Sequence, residues 1–553
     1  MSASKKKQLR KEQYMTERQN AAAKETKQLK RYTMTFWVVI LVVAAIFVGA
    51  VVANPLKNVI YANTKAMQVG EYTLTSADLN YYYIDAVNNY VSQNSQFLQY
   101  LMDTTKPLDE QVANKETGAT WADNFLEEAK LNIRSTYALY CEAMKNGYTL
   151  SDSDKSSIDS TIAMTELYAS YYGYSNLNGY LRAMYGNGAN EKSYRNYLEV
   201  SAIARGYMAK YQDSLEYTAE DLIKFQEPNP YRYNAYTYAY YYLAASEFRT
   251  GGTTTKDENG KETTTYSDEE KAAAIAAAKA AADELAAMTY ADLDAFDAAI
   301  KAMPINKDNT TAAASRSEDM LYDRVNTLFQ NWLTGRVEPE TEGGEVTFET
   351  RTEGEMTVIE SSTGTGENKV VNGYYVLRFG SVNDNAFAMK NVRHVLIKFE
   401  GGTTDSTTGN TTYTNEEKAT ARKAAKKLLD EWVAKGDLSE ESFAELAKAN
   451  SKDGNAAQGG LYEDVYPGQM VEAFENWVYD AERKVGDYDI VETEFGCHIM
   501  FFVGDSDTTF RDFMITNMLR SDDLDKWHTD LIEKLTLEVL TIKHVETDMV
   551  LSH

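Results

Sequence analysis

Apolar and polar residues alternate in a different way in each of four successive parts of the 553-residue chain. An uninterrupted apolar run comes first, at 34–53. Apolar residues then recur at helical spacing over 66–226, where Ser76 is a suitable N-cap for the first long helix. Strand-like and helical runs alternate from 228 to 505, and residues 508–553 begin as a long amphipathic helix. These patterns predict an α+β multidomain protein.

Residues 66–226 contain several separate runs in which apolar residues recur at helical spacing. Amphipathic helices are predicted at 121–147, 154–172, 176–187, 190–212 and 217–226. The helix that starts at 508 has no neighbouring apolar segment to pack on. We therefore expect it to return to the helices of 66–226.

The apolar run Met34–Ala53 contains no charged residue over twenty positions, which in a helix span about 30 Å, the thickness of a bilayer core. Ten Lys and Arg stand against three Glu in residues 1–33. The positive-inside rule then places 1–33 in the cytoplasm as a basic tail and the remainder outside, anchored by a single transmembrane helix at 34–53. A signal peptide cleaved after Val51-x-Ala53 is the alternative. No cysteine directly follows the run, which argues against a lipoprotein anchor.

Two passages of the third part resemble each other. Each has a strand-like run, a loop that begins Gly-Gly-Thr-Thr, at Gly251 or Gly401, an alanine-rich helix and a closing strand. The loops end in TTYSDEEKA (264–272) and TTYTNEEKA (411–419). Chance similarity between two low-complexity loops is a weaker explanation, because the strands and helices around the loops match as well. The pattern therefore indicates a duplicated domain, at 228–385 and at 390–505.

Composition and charge narrow the function classes. With 43% hydrophobic and 25% charged residues the chain is globular, and its length suits three or four domains. Two distant cysteines, Cys141 and Cys497, make a disulfide framework or a thiolate metal site improbable. A net charge of −27 argues against nucleic acid as a partner. We expect no metal and no cofactor.

Four motifs of the second repeat, taken in order, resemble the parvulin (rotamase) family of peptidyl-prolyl isomerases. They are Arg393-His394-Val395-Leu396-Ile397, the run from Phe443 to Asp453, Gly459-Gly460 followed by Gln469-Met470-Val471 and Phe474, and Thr493 to Ile499. The whole chain beyond residue 65 is similar in layout to SurA- and PrsA-type foldases. This resemblance implies a helical chaperone domain at 66–226 and a parvulin domain at 390–505.

The resemblance also implies the roles of individual residues. His394, Asp453, His498 and Thr493 would form the catalytic hydrogen-bonded set, in which the histidines hold each other's tautomers. The proline pocket would be built by the apolar and amide side chains of Met470, Phe474, Gln469, Val465 and Phe495. Cys497, next to His498, points to the opposite strand face and is interpreted as core.

Turning an X–Pro bond needs neither a nucleophile nor a metal. The barrier of about 20 kcal/mol comes from amide resonance. A dry pocket that binds the twisted amide lowers this barrier by differential binding. Met470 and Phe474, four residues apart, would supply the apolar wall on one helix face.

Two departures from the family pattern are visible. Val465 stands where a pocket phenylalanine is common, so activity is expected to be weak. In the first repeat, matching Leu243 to Leu396 and Gly373 to Gly496 places Tyr241 and Tyr375 at the two histidine positions. This alignment predicts a degenerate parvulin-like domain without isomerase activity.

The function favoured by these observations is that of a membrane-anchored peptidyl-prolyl isomerase that acts on unfolded, X–Pro-containing clients outside the cytoplasm. The main alternative is a holdase whose parvulin-like domains only bind extended chains. A third hypothesis is a structural envelope protein that uses the fold as a scaffold.

Overall fold

A computed structural model describes residues 55–257, 261–339, 344–406 and 408–551. The basic tail 1–33 and the predicted membrane helix 34–53 lie outside these residues. Within the described ranges no helix is both long and apolar enough to cross a bilayer.

The chain folds into two compact units, one formed by residues up to Glu216 together with those from Arg520 onward, the other by Tyr217–Leu519. The predicted helical domain extended to 226, but the helix Ala219–Gln226 belongs to the second unit. The reason is a contact with that unit: the guanidinium of Arg511 donates to the Gln226 amide oxygen at 2.8 Å.

The first unit is mainly helical. Its helices are α1 (Pro55–Asn63), α2 (Ser76–Gln93), α3 (Leu98–Leu101), α4 (Trp121–Lys145), α5 (Asp152–Tyr171), α6 (Leu177–Tyr185) and α7 (Glu191–Asp213). The N-cap of α2 is Thr75 and not Ser76: Thr75 and Asp78 form a capping box, with the Asp78 amide donating to the Thr75 hydroxyl. Ser76 is the first helical residue.

A small sheet ties the end of the chain to the first unit. Strands β1 (Lys65–Val69) and β2 (Tyr72–Thr75) form a hairpin, and the last strand of the chain, Leu537–Val539, pairs antiparallel with β1. The long helix predicted to start at 508 is observed at Phe510–Lys534 and stops before this strand. Within the first unit the helix's later part packs through Trp527, whose ring stacks on Tyr211 at 3.8 Å.

The second unit contains two four-stranded antiparallel sheets with the same strand order. The elements of the first are α8 (Ala219–Gln226), β3 (Ala235–Ala244), β4 (Thr253–Lys256), β5 (Glu262–Thr265), α9 (Asp268–Ala287), α10 (Leu293–Ala302), β6 (Ser315–Leu321), α11 (Thr327–Leu333), β7 (Arg336–Val337), β8 (Thr347–Phe348), β9 (Met356–Thr363) and β10 (Val370–Asn383). Its sheet runs β6-β3-β10-β9.

The second sheet follows directly in the chain. Its elements are β11 (Ala388–Lys398), β12 (Thr403–Thr404), β13 (Thr411–Thr412), α12 (Asn415–Ala434), α13 (Glu440–Asn450), β14 (Leu461–Val465), α14 (Glu472–Val478), β15 (Tyr488–Thr493) and β16 (Gly496–Thr509). The strand order is β14-β11-β16-β15. The C-terminal helix Phe510–Lys534, named α15, and strand Leu537–Val539, named β17, complete the chain.

The two sheets share their local details as well as their order. In each domain, the two adjacent glycines that begin the Gly/Thr loop have positive φ. The backbone amide of the second glycine donates to a glutamate that caps the following helix: Gly252 to Glu270 at 2.8 Å and Gly402 to Glu417 at 2.9 Å. A Cβ on Gly402 would lie 2.8 Å from the Tyr413 ring, so only glycine fits this turn.

The short helices α11 and α14 also share a sequence, Phe-x-Asn-Trp, at Phe329 and at Phe474. Each of these phenylalanines is buried on the sheet face opposite the long helix. The duplication inferred from the loops therefore extends across both domains.

Each sheet has two buried faces. In the second domain one face packs on α12 and α13 through Val395, Cys497 and Ile499. The other face packs on α14 through Val392, Phe474 and Met500. Since neighbouring side chains along a strand alternate between faces, His394 and His498 lie on the α14 side and Cys497 lies in the core behind them.

Candidate active site

Two buried histidines on adjacent strands are the centre of the site. In the β11–β16 register, His498 lies opposite Leu396 and His394 opposite Met500, so the histidines are diagonal neighbours on one face. Their Nδ1 atoms are 2.9 Å apart and their rings are nearly parallel, at 14°. They are 2% and 5% exposed, so water does not separate them.

One assignment of protons satisfies all contacts of these rings. The ionised Asp453 carboxylate can only accept, so the ring nitrogen that faces it, His394 Nε2, carries a proton. His498 then carries its proton on Nδ1 and donates to His394 Nδ1. His498 Nε2 then accepts from the Thr493 hydroxyl at 2.8 Å, and the same hydroxyl oxygen accepts from the Phe495 amide at 3.1 Å.

Asp453 lies at the end of this series of hydrogen-bonding groups, next to His394. Its Oδ2 lies 3.4 Å from His394 Nε2, the longest link and one without well-aligned hydrogen-bond geometry. The same oxygen accepts from the Tyr462 hydroxyl at 3.0 Å and from the Asn455 amide at 3.2 Å. The His394 imidazole above all, with these two donors, holds the pKa of Asp453 well below its usual range although burial acts in the opposite direction.

Burial sets the charge of the other groups. It lowers the pKa of His498 to about 4, with the neighbouring His394 acting in the same direction. It also raises the pKa of Tyr462 to about 12, assisted by the Asp453 carboxylate. At neutral pH the site therefore holds a neutral His498, a neutral phenol and an ionised carboxylate.

A cleft of about 630 Å³ opens over these groups. Phe474 forms its floor and meets both imidazoles edge to face, with centroids 5.5 Å from His394 and 5.6 Å from His498. The described residues lining the cleft are His394, Leu396, Lys398, Phe399, Tyr413, Asp453, Tyr462, Gln469, Met470, Val471, Phe474, Glu494, Phe495 and His498. Most of the surface of the cleft is apolar, and the two histidines and Asp453 are among its polar groups.

Seven of the nine residues predicted from the sequence line this cleft; the other two lie behind it. Thr493 reaches the site only through His498. Val465 is fully buried beside Phe474, in the core of the α14 face, and does not line the cleft. Met470 does line it, but from the turn before α14 and not from the helix itself, since α14 begins at Glu472.

Tyr462 is a member of the site that sequence reasoning passed over. Its hydroxyl donates to Asp453, and its ring lies 5.2 Å from that of His394. The signal that could have found it is its place just after Gly459-Gly460, in a strand that pairs with β11 at Val392, two residues from His394.

The counterpart of the histidine pair in the first domain is Tyr240 and Tyr375. Tyr241, which the sequence alignment placed there, lies on the other face: its hydroxyl donates to Asn306 and its ring packs toward α9 and α10. The pairing of β3 with β10 decides this, because Tyr375 faces Tyr242 just as His498 faces Leu396. A shift of one residue along a strand exchanges its faces.

The first-domain triad repeats the geometry of the site with different chemistry. Ring centroids of Tyr240, Tyr375 and Phe329 are 5.0–5.8 Å apart, compared with 5.1–5.6 Å for His394, His498 and Phe474. Across the described ranges of the chain, no cluster of three or more His, Cys, Asp and Glu side chains is arranged to hold a metal ion.

Comparison with known proteins identifies the second domain. A family model described as a PPIC-type PPIASE domain matches residues 374–504, which include all four motifs noted in the sequence. The foldase protein PrsA of Exiguobacterium sibiricum is 42% identical over 87 residues, which cover 15% of this chain and 25% of that protein. The chain thus spans about a quarter of the length of this relative. The resemblance to the parvulin family is confirmed.

Solved structures of similar proteins overlap with part of the chain. PrsA of Bacillus cereus is 24% identical, covering 27% of this chain and 49% of that one, with a TM-score of 0.17. PrsA of Bacillus subtilis is 22% identical, with coverages of 29% and 55% and a TM-score of 0.18. A SurA-like chaperone of Campylobacter jejuni is 24% identical, with coverages of 26% and 51% and a TM-score of 0.15. With TM-scores this low, the domain is identified by the family match.

Proposed function

We propose that this chain, which carries a PPIC-type peptidyl-prolyl isomerase domain, turns X–Pro bonds in unfolded polypeptide clients and does so outside the cytoplasm. The observation that carries the proposal is the buried hydrogen-bonded series Thr493–His498–His394, with the Asp453 carboxylate 3.4 Å from His394, in a cleft whose surface is mostly apolar. A cleft of this composition suits a proline ring with a polar amide attached to it.

The chemistry follows from what twisting does to an X–Pro amide. Rotation about the C–N bond removes resonance, so the carbonyl loses charge separation and the nitrogen lone pair becomes localised. Water stabilises the planar, charge-separated form. A cleft that seats the proline ring against Phe474 and Met470 strips water from the amide and favours the twisted form, and this lowers the barrier of about 20 kcal/mol.

The polar groups position the substrate and do not exchange protons with it. His498 is neutral and locked between Thr493 and His394, so its ring serves as a fixed wall. Asp453 is ionised and faces the cleft, where it orients the amides that flank the proline. Gln469 and Phe495 stand at the rim, where they contact the residues on either side of the X–Pro bond.

Clients and location form part of the proposal. The apolar run 34–53, with its basic flank, anchors the protein in the cell membrane with residues 1–33 in the cytoplasm. The described units then lie on the outer side, where secreted or envelope proteins fold. The similarity of the second domain to PrsA supports this location.

A second candidate function is a holdase, and the first domain favours it. Tyr240, Tyr375 and Phe329 keep the shape of the site without imidazoles or a carboxylate chain. Under the isomerase proposal this domain has no catalytic activity. Under the holdase proposal both domains bind extended chains and neither accelerates isomerisation.

An assay of a short peptide containing one X–Pro bond separates the two. The proposal predicts faster exchange with wild-type protein and a large loss in an Asp453→Ala variant, because the cleft loses the carboxylate that faces the His394 imidazole. A protein that suppresses aggregation of unfolded clients but leaves the exchange rate unchanged across several residues before proline would establish the holdase instead.

A further inference from the structure

The first domain buries an arginine where the second domain buries a phenylalanine. Tyr375 and His498 occupy equivalent positions on β10 and β16, so Arg378, three residues further along, corresponds to Phe501. Phe501 is 3% exposed and packs on Phe443 with ring centroids 5.1 Å apart. Arg378 is 6% exposed, almost as buried as the phenylalanine to which it corresponds. A guanidinium at such a position is costly unless another group pairs with its charge.

Arg378 is unpaired within the described part of the chain. Its guanidinium makes no hydrogen bond and no ion pair with the residues there. An arginine side chain stays protonated in a protein and presents five N–H donors in a planar fork. The buried guanidinium therefore requires an acceptor that the described residues do not supply.

Arg378 lies at a cavity of about 530 Å³ beside the start of α10. On β10, Val376 packs on the side of α9 and α10, whereas Leu377 packs on the side of α11. Because side chains alternate along a strand, Arg378 lies on the side of α9 and α10. The cavity is thus on the sheet face opposite the triad of Tyr240, Tyr375 and Phe329.

Two hydroxyls lie on the same face as the arginine. Strand β10 bulges at Gly380, and Ser381 then pairs with Thr237 on β3. The extra residue places both hydroxyls on the face that Arg378 occupies, and both line the cavity. The Thr237 oxygen accepts from the Asp319 amide at 3.1 Å, while its O–H has no acceptor among the described residues. The cavity therefore offers hydroxyl donors as well as a guanidinium.

The other charges of the cavity decide which kind of anion fits. Arg316 is already paired, with Asp297 at 2.7 Å and with Asp294 at 3.4 Å. Asp294 and Glu353 add negative charge to the lining. A dianion such as phosphate meets more repulsion from these carboxylates than a single carboxylate does. A carboxylate also matches the planar fork of Arg378 with two parallel hydrogen bonds.

We propose that this cavity binds a small aliphatic carboxylate. Its carboxylate pairs with the Arg378 guanidinium, the hydroxyls of Thr237 and Ser381 donate to it, and its hydrocarbon part lies on Leu293, which also lines the cavity. The site goes beyond the proposed function, because it lies in the first domain and its ligand is a small molecule instead of a client chain.

The test uses detergent-solubilised full-length protein and isobutyrate as the probe, followed by saturation-transfer difference NMR of the isobutyrate methyl protons. Wild type should bind isobutyrate at least tenfold more tightly than isobutyramide, which has a similar shape without the charge. Isobutyramide binding as tight as that of isobutyrate, or no binding of isobutyrate by wild type, would overturn the proposal.

A matched pair of variants tests the arginine. Arg378→Lys keeps the positive charge but removes the planar fork, so it should weaken isobutyrate binding at least tenfold. Arg324→Lys changes an exposed arginine of the same domain that does not line the cavity, and it should bind like wild type. Equal affinity in all three proteins would contradict the site.

A second variant guards against loss of the fold. Arg378→Phe introduces the residue that the second domain has at this position, so the variant should fold, as judged by circular dichroism, and should not bind isobutyrate. Isobutyrate binding by this variant as tight as by wild type would exclude Arg378 as the ligand-binding group.

Competition decides the class of anion. Acetate and inorganic phosphate are each titrated against bound isobutyrate, and acetate should displace it at the lower concentration. Displacement by phosphate at a concentration tenfold below that of acetate would assign the cavity to phosphate and contradict the carboxylate.

Discussion

Nδ1 of His394 faces Nδ1 of His498 at 2.9 Å, inside a site where neither ring is exposed to water. A hydrogen bond between two like atoms requires that one carries a proton and the other a lone pair. The two imidazoles are therefore not equivalent. The Asp453 carboxylate, which can only accept, decides which ring donates, and the Thr493 hydroxyl at the other end fits either direction.

This asymmetry predicts opposite neutral tautomers. His394 should carry its proton on Nε2, because the Asp453 carboxylate that faces this atom can only accept, and His498 should carry its proton on Nδ1, from which it donates to His394. Nitrogen-15 NMR of the histidine side chains at pH 7.5 reports each tautomer directly. Two rings in the same tautomer, or a charged His394, would contradict the assignment.

The lowered pKa of His498 predicts a pH-dependent stability. The unfolded chain binds a proton at His498 near pH 6.5, whereas the folded chain does so only near pH 4. The free energy of unfolding should thus fall as the pH drops from about 6.5 to about 4, by at most roughly 3 kcal/mol. Protonation of Asp453 should reduce the free energy of unfolding only at still lower pH, because the pKa of Asp453 is lowered as well.

A matched variant isolates this contribution. Asp85 and Glu546, whose pKa values burial raises, favour the folded state as the pH falls and so act in the opposite direction. The quantity to compare is therefore the pH slope in urea unfolding of wild type and of His498→Gln. Identical slopes between pH 6.5 and 4 would remove His498 as the cause.

Tyr462→Phe tests the residue that the sequence did not reveal. The change removes the hydroxyl that donates to Asp453, so the pKa of Asp453 should rise and stability should fall by about 1 kcal/mol. Carbon-13 NMR titration of the Asp453 carboxyl measures the first effect directly. Because the phenol holds the carboxylate in place, the rate of X–Pro exchange should fall too. An unchanged carboxyl titration would mean that Tyr462 has no influence on Asp453.

The duplicated phenylalanines offer a paired prediction. Phe474→Ala and Phe329→Ala each remove a buried ring from the same structural position and should each cost about 3–5 kcal/mol. Only Phe474→Ala should abolish isomerisation measured at a temperature where both variants are folded. Equal loss of activity in both would indicate that the domains act together.

The sequence was sufficient for the centre of the site and insufficient for its surroundings. His394 and His498 lie within short motifs whose strand alternation fixes their face, and Asp453 follows a helix that the sequence marks clearly. Tyr462 reaches Asp453 only because β14 pairs with β11 in one register, a contact between distant residues that no local pattern encodes.

The misplacement of Tyr241 has a similar physical cause. Matching Leu243 to Leu396 pairs identical residues in the two sequences. The hydrogen-bond register between β3 and β10 instead places Tyr240 at the position equivalent to His394. The end of the chain shows the same limit. Leu537–Val539 looks like the continuation of a helix, and becomes a strand because β1, more than 460 residues earlier, offers a free edge.

The most direct test of the account is the rate of X–Pro exchange catalysed by full-length protein, measured by NMR exchange spectroscopy on one short peptide. The variants to compare are His394→Ala with His498→Ala and, as the structural match in the first domain, Tyr240→Ala with Tyr375→Ala. We predict acceleration by wild type, its loss in the histidine variant and its retention in the tyrosine variant, with both variants folded by circular dichroism. No acceleration by wild type, or activity that survives the loss of both histidines, would contradict the account.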